Sequence, residues 1–392
     1  MLNKPTFKYY LSRKEYPVTK HSWIWKKFLP LSRTFDYQTK EEILTESVTY
    51  EDYFCAIRAF LEKGSFDIPV KAVSRTIGHQ INPDEIEQIL IFLEKHGEFY
   101  HPACVEICMS GMNLFFVINV AVSSVGKQYI KREYAQLRKM CSEFELCFVP
   151  KIYGIGSGTT KHGVSLSMFM GEWFQGFFEF HISVDQDNQN KLVIWDTEKE
   201  NFFLSSNQAL DVYRKCAMIL TWHYNIESFE QIFSWHHAAG DFVVKPEYGD
   251  KVSMRLITVR KYAPIIQNPG DDPESMVYGL LVFLLNMSVK NRLDRLDGTG
   301  ELVWAGAGVA QETLRGFFQG LDLKIKSKNI PDNFDQFFIK YLRSYSKKEL
   351  YDTAEAVVKR IVCHKEELDF IKYQLKKHIA ELHSAIANLT FD

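Results

Sequence analysis

The hydrophobic pattern changes twice along the chain. Between residues 40 and 97, apolar residues recur every three or four positions, as at Tyr53, Ile57 and Phe60. This spacing predicts short helices. The same spacing recurs over residues 86–93 and predicts a further helix there. The first part of the chain is therefore expected to contain three or four short helices.

After residue 97 the pattern alternates, as strands do. The runs HPACVEICM and NLFFVINVAVS are joined by Ser-Gly-Met at 110–112, which predicts a hairpin. A helical pattern covers 127–141, and two further strand-like runs follow it, FVPKIYGIG and HGVSLSMFMGEWF. The region is expected to form a β-rich lobe that holds one helix.

A second hairpin, FFEFHISVD and NKLVIWD, turns at 186–189 and completes the β-rich region. The remainder of the chain is mainly helical. Helical spacing then returns at 207–222, 275–296, 312–318 and 347–389. A small β-rich lobe therefore precedes a larger helical lobe, and the predicted fold class is α+β.

These changes of pattern predict five segments. They are a basic, aromatic-rich arm (1–40), a helical module with a loose likeness to a winged helix (41–97), a β-rich lobe (98–197), a helical lobe (198–346) and C-terminal amphipathic helices (347–392). In the last segment, apolar residues alternate at spacings of three and four from Leu368 to Leu389. Such a stripe suits a seam with a partner helix or a second copy, and it equally suits packing on its own chain.

Composition and cysteine pattern predict the cellular compartment of the protein. The chain has 392 residues, 46% of them hydrophobic, and a net charge of −2. Its strongest apolar run, 278–289, is too short for a membrane span of roughly 20 residues, and the first residues lack the apolar region of a secretory signal. Seven cysteines without a Cys-x-x-Cys pair predict a reduced cytoplasmic protein without structural zinc.

The net charge conceals an asymmetry. Residues 1–40 hold nine Lys and Arg and two acidic residues, which leaves 38 basic and 47 acidic residues in the rest. Interleaved aromatic residues such as Tyr9, Trp23 and Trp25 could stack on bases while the lysines neutralise phosphates. We favour the other interpretation, in which the arm is a strap pinned on the acidic body of its own chain.

Two motifs lie on the helix of the β-rich lobe and just after it. They are REYAQLRKM at 132–140, which contains Glu133, and VPKIY at 149–153. Together with the order of elements, they resemble the protein-kinase-like fold, and its aminoglycoside phosphotransferase branch in particular.

The resemblance implies two lobes that bind a nucleotide or a phosphorylated small ligand between them, with ATP and magnesium as cofactors. A protein of this kind that is active would be a phosphotransferase. Glu133 would organise the β-rich lobe. Backbone groups near Met170 and Gly171, in the strand SLSMFMGEWFQG, would receive the adenine ring.

The catalytic loop of this family reads roughly HGDxxxxN, in which the Asp acts on the acceptor hydroxyl and the Asn holds magnesium. The matching segment is SWHHAAGDFVV at 234–244. Aligned on the strand that follows, Asp241 becomes the metal ligand and His236 takes the catalytic position as a general base. Aligned on GDF, Asp241 becomes the catalytic Asp and Pro246 replaces the Asn. Both alignments are open.

Other charged positions of the family are substituted. Thr258 stands where a second magnesium-binding Asp is implied. Asn119 stands where a strand lysine would pair with Glu133, and the next lysine downstream is Lys127. These substitutions favour either a pseudokinase-like interaction or regulatory protein or a phosphotransferase with altered catalytic residues.

The same loop allows two interpretations without the family. His236, His237 and Asp241 are residue types that bind a transition metal, so a metal-dependent hydrolase is an alternative. In the structural alternative, Trp235 and one histidine pack in the core while Asp241 caps a turn.

A second charged cluster, RLDRLDGTGE at 292–301, ends the most apolar predicted helix. Arg292 and Arg295 are three residues apart, as are two aspartates, and Gly298 is expected to end the helix. We expect a buried guanidinium–carboxylate clamp that holds the last helices. Recognition of a phosphate by the two arginines is the alternative.

The glycine-rich segment GIGSG at 154–158 has part of the character of a phosphate-binding loop. It lacks the Gly-Lys-Ser/Thr ending of that motif, and no long helix plainly follows it. We therefore expect a flexible connection.

Overall fold

The computed structural model describes residues 4–13, 16–30, 48–97, 99–160, 162–196, 199–265, 272–362 and 364–390. The chain divides into two units, Met1–Gln175 and Gly176–Asp392. Part of the predicted basic arm, residues 31–40, lies outside the described residues.

One mixed sheet organises the first unit. Its strands are β1 (Thr6–Tyr10), β2 (Gln88–Leu93), β3 (His101–Met109), β4 (Met112–Ala121), β5 (Ile152–Thr159) and β6 (Ser165–Glu172). Its helices are α1 (Tyr50–Glu62), α2 (Asp67–Ile77) and α3 (Ser124–Glu143). The strand order is β1-β2-β3-β4-β6-β5, with β1 parallel to β2 and the other neighbours antiparallel. The hairpin predicted at 110–112 is confirmed, because Ser110 and Gly111 both have positive φ.

Strand β2 replaces a predicted helix. It pairs with β1 on one side and with β3 on the other, so Ile89 lies opposite both Phe7 and Ile107. A strand in the interior of a sheet can be apolar on both faces, and its nearly continuous hydrophobic run then imitates helical spacing. The helix predicted over 86–93 is therefore wrong.

The described part of the N-terminal arm packs on its own chain. Strand β1 is the edge strand of the sheet. The ring of Tyr9 lies 5.5 Å from that of Trp25 and 5.1 Å from that of Phe54, and Trp25 is buried. Tyr9 and Trp25 therefore belong to the core of the first unit, as the strap interpretation predicts.

Strand β5 is rich in glycine because helices α1 and α2 lie directly on it. A Cβ atom at Gly158 would come within 2.1 Å of the Ala56 carbonyl oxygen, and one at Gly154 within 2.7 Å of the Ile68 side chain. Hydrogen is thus the largest side chain that fits at Gly158. The glycine-rich segment is part of a strand, which corrects the expectation of a flexible connection.

The second unit combines helices with small antiparallel sheets. The helices are α4 (Ser206–Trp222), α5 (Pro273–Lys290), α6 (Val309–Lys326), α7 (Phe334–Ser344), α8 (Lys347–Ile361) and α9 (Lys365–Asn388). The strands are β7 (Glu179–Val184), β8 (Asn190–Trp195), β9 (Phe202–Phe203), β10 (Glu230–Phe233), β11 (Phe242–Pro246), β12 (Val252–Leu256), β13 (Lys261–Pro264), β14 (Leu293–Arg295) and β15 (Leu302–Trp304). The predicted second hairpin is confirmed by the pairing of β7 with β8.

Helix α5 ends at Lys290, earlier than the predicted end at 296. The carbonyl oxygen of Arg292 accepts a hydrogen bond from the Ala305 N–H group (2.8 Å). Strand β14 then pairs with β15. The backbone therefore leaves the helix to pair with a later segment, and Gly298 lies in a turn beyond β14 instead of ending a helix.

The apolar stripe of the C-terminal region is buried within the second unit. Ile371, Leu375, Ile379 and Leu382 have no exposed surface. Helix α9, which carries them, packs on α6 and α8. Of the two interpretations of the stripe, the structure therefore shows packing on its own chain.

The α+β fold class is confirmed. A sheet with one long helix between β4 and β5 is followed by a mainly helical unit, in the predicted order. Among the described residues, no helix has both the length and the apolar character needed to cross a membrane.

Candidate functional site

The segment that resembles a catalytic loop connects β10 to β11. A short 3-10 turn, His237–Ala239, ends at Gly240, which has a left-handed backbone (φ 65°). A Cβ atom at Gly240 would lie 2.9 Å from the carboxyl carbon of Glu179. Glycine therefore suits both the conformation and the space. The turn leads directly to Asp241, whose carbonyl oxygen accepts a hydrogen bond from the Ile257 N–H group (2.8 Å).

The Asp241 carboxylate is held from two directions. Its side chain has no exposed surface. The backbone N–H group of His236 donates to Oδ2 (2.8 Å), and the guanidinium of Arg260 forms an ion pair with the same oxygen. Arg260 also donates to the Ser234 carbonyl oxygen (3.1 Å). A cation of the chain itself therefore neutralises the carboxylate that one of the two alignments assigns to metal and the other to catalysis.

These residues do not fit a magnesium-bridged triphosphate. In the described part of the chain, no hydrogen-bond partner reaches the buried Oδ1 atom of Asp241. Mg²⁺ bound with ATP takes one or two protein carboxylates besides phosphate oxygens and waters, so a site here would depend on the charge of Asp241. Arg260 already neutralises this carboxylate, and Thr258, where the resemblance implies a second ligand, carries no negative charge.

His236 is a neutral imidazole. Its Nδ1 atom accepts a hydrogen bond from the Ala238 N–H group (3.1 Å), and its Nε2 atom lies 3.9 Å from a carboxylate oxygen of Glu367. Burial lowers the pKa of His236 to about 4. A base with so low a pKa removes a proton from a hydroxyl poorly at neutral pH.

His237 is tied into the core by a separate network. Its Nε2 atom lies 3.1 Å from Oδ1 of Asn291, and the Asn291 amide donates to the Tyr213 carbonyl (2.9 Å) and to Thr313 Oγ1 (2.8 Å). No group of three or more His, Cys, Asp or Glu side chains in the described ranges could share a metal ion. The cluster predicted from His236, His237 and Asp241 is therefore not assembled as a metal centre.

In the first unit, Glu133 is a buried carboxylate on α3. The hydroxyl group of Tyr100 donates a hydrogen bond of 2.6 Å to its Oε2 atom. Tyr100 lies between β2 and β3, so sequence reasoning that looked for a strand lysine missed it. The only signal in the sequence was an aromatic residue next to a predicted strand, and this signal does not indicate that the residue bonds to Glu133.

The other predicted nucleotide contacts lie inside the sheet. Asn119 is a buried residue of β4, opposite Pro102 and Phe169. Met170 and Gly171 belong to β6, which is flanked by β4 and β5. The backbone of Met170 pairs with both neighbouring strands, and its side chain is in the core.

The second charged cluster forms the expected clamp, with a different partner. Arg292 is buried and donates to the carbonyl oxygens of Ala305 (2.8 Å) and Gly306 (2.9 Å). Its carboxylate partner is Glu381 on α9 (2.5 Å). The Nδ1 atom of His378 lies 3.4 Å from the same guanidinium. Arg292 thus fastens the last helix to the end of α5.

No family model matches this chain, and no curated protein sequence matches it either. Among solved structures it is similar to WaaP in complex with acyl carrier protein, with 10% identity and a TM-score of 0.27, over 68% of this chain and 88% of that one. It is also similar to a MAP kinase from Leishmania major, with 12% identity and a TM-score of 0.28, over 76% and 83%.

Proposed function

We propose that this chain is a kinase-like binding or regulatory protein that does not carry out metal-dependent phosphoryl transfer. The observation that carries the proposal is the ion pair between Arg260 and the buried Asp241. Phosphoryl transfer depends on metal ions that bridge the phosphates and neutralise developing charge. Here a guanidinium neutralises the carboxylate that one alignment assigns to the metal ligand. This carboxylate would therefore add little to the affinity for a metal ion.

The first unit supports the same proposal. In an active kinase a strand lysine pairs with the glutamate of the helix and reaches the phosphates. The resemblance aligns Asn119 with that lysine, and the Tyr100 hydroxyl group donates a hydrogen bond to Glu133. This hydrogen bond joins α3 to the segment between β2 and β3.

A nucleotide or a phosphorylated small ligand remains compatible with this proposal, provided that it binds without a bridging metal. The cysteine pattern supports a cytoplasmic location. A metal-dependent hydrolase is not proposed, because His237 and Asp241 are held by different partners.

The test is a thermal-shift titration with ATP, with and without Mg²⁺ or Mn²⁺. A ligand at 100 times its dissociation constant stabilises a protein by about 2.7 kcal/mol. We expect any shift of the wild-type protein to be the same with and without metal. A shift that requires metal and is lost in Asp241→Asn would contradict the proposal. Asp322→Asn, at an exposed helical ion pair, is the matched control.

A further inference from the structure

Two half-buried cysteines meet at the end of α3. Cys141 lies in the last turn of the helix, and Cys147 lies in the segment that leads to β5. Their sulfur atoms are 2.9 Å apart. This distance is only about 0.9 Å longer than the bond of a disulfide. Both residues are free cysteines with partly exposed side chains.

The surroundings hold both thiols at the same place. The Cys147 thiol donates to the Val149 carbonyl oxygen (3.2 Å), and the Cys141 thiol lies 3.6 Å from the Pro150 carbonyl oxygen. Both sulfur atoms therefore lie against the backbone that precedes β5. A bond between them would tie the last turn of α3 to this backbone.

We propose that Cys141 and Cys147 are a redox-active dithiol that closes to a reversible intrachain disulfide when a peroxide oxidises it. The Cys147 thiolate attacks one peroxide oxygen, forms a sulfenic acid and releases hydroxide, which takes up a proton to become water. The sulfur of Cys141 then attacks the sulfur of Cys147 and expels the second hydroxide, which leaves as water with the Cys141 proton. In total, two thiols and one hydrogen peroxide become one disulfide and two waters.

The order of attack follows from the contact between the two thiols. The hydrogen bond from Cys141 lowers the pKa of Cys147, whereas the same contact raises the pKa of Cys141. The thiolate is the reactive form of cysteine, so Cys147 is the residue that meets the peroxide. Cys141 is then the resolving cysteine.

The test is differential alkylation of the full chain, read by mass spectrometry. After treatment with hydrogen peroxide, we expect the loss of two thiols, at Cys141 and Cys147, and a peptide in which they are linked. Dithiothreitol should restore both. Cys108, a half-buried cysteine on β3, is the internal reference. Cys108→Ser should lose the same two thiols, while Cys141→Ser should accumulate a Cys147 sulfenic acid that dimedone traps.

Three results would overturn the proposal. First, Cys141 and Cys147 could remain as accessible to alkylation as Cys108 after peroxide treatment. Second, the peroxide could link them to other cysteines, or to a second chain seen on a non-reducing gel. Third, the disulfide could form equally fast in urea. The last result would mean that proximity in sequence suffices and that the fold does not place the thiols. The comparison in urea uses the wild-type chain, so it tests the proposal even if Cys141→Ser does not fold.

Discussion

Arg260 and Asp241 are nineteen residues apart in the chain, and their side chains meet as an ion pair. The carboxylate of Asp241 is fully buried, while the Arg260 side chain keeps 24% of its surface exposed. The buried carboxylate of a loop that resembles a catalytic loop is thus paired with a cation from the segment between β12 and β13, at the position that one alignment assigns to a metal ligand.

Asp241→Asn should lower the free energy of unfolding by about 3 kcal/mol, because it leaves a largely buried guanidinium without its carboxylate. Urea unfolding measures the change. Asp322→Asn removes the carboxylate of an exposed pair with Lys326, and it should change stability by about 0.5 kcal/mol at most. Equal, small effects of the two substitutions would show that the Asp241 pair contributes no more than a surface pair.

Tyr100→Phe should lower the free energy of unfolding by about 1–3 kcal/mol, since the buried Glu133 carboxylate loses a short hydrogen bond. The measurement is again urea unfolding. Tyr16→Phe, at a tyrosine that is 94% exposed, is the matched control and should leave stability unchanged. If Tyr100→Phe changed the free energy of unfolding no more than this control, the hydrogen bond to Glu133 would not contribute to stability.

Arg292→Lys should destabilise the second unit by about 2–4 kcal/mol. An ammonium cannot reproduce the forked donation to Ala305, Gly306 and Glu381. Thermal or urea unfolding measures the loss. Arg295→Lys is the neighbouring control, because the Arg295 side chain makes an exposed hydrogen bond of 3.1 Å to the Gly300 carbonyl oxygen and an ion pair of 3.5 Å with the exposed Glu366, which a lysine can also form. A loss at Arg295 as large as at Arg292 would contradict the clamp.

Stability should fall as the pH is lowered below about 6.5. Burial lowers the pKa of His101 to about 4 and that of His378 to about 3. The unfolded chain therefore binds more protons than the folded chain between pH 6.5 and these values, so protons favour unfolding in that window. Each histidine contributes about 3 kcal/mol or more over its full titration.

The urea midpoint, followed from pH 7.5 down to pH 5, measures this dependence (about 1.4 kcal/mol per proton and pH unit at most). His378→Gln should flatten the slope, whereas His79→Gln, at an exposed position, should preserve it. A wild-type slope that does not change in His378→Gln would show that this imidazole does not couple folding to protons.

Local signals predicted much of the fold. The turn at Ser110 and Gly111 needs a backbone that glycine favours, and the strands on either side alternate, so the hairpin could be derived from neighbouring residues alone. Strand β2 could not, because its parallel partner β1 lies more than eighty residues earlier. Its apolar character comes from that pairing and not from a helix.

The candidate site shows the same division. The charged residues Glu133 and Asp241 could be identified from motif spacing, whereas their partners Tyr100 and Arg260 could not. A hydrogen bond or ion pair between distant segments leaves no periodic trace in a sequence. Unless the partner residue is known, the sequence does not distinguish a carboxylate that binds a metal ion from one that an arginine neutralises.

Binding of Mn²⁺ in the presence of ATP tests the central claim most directly, because electron paramagnetic resonance distinguishes free from bound Mn²⁺. If Arg260 takes the place of the metal ion, wild-type protein should hold no more Mn²⁺ than Asp241→Asn does at every ATP concentration. A stoichiometric Mn²⁺ ion that binds the wild-type protein with ATP and is lost in Asp241→Asn would contradict the account.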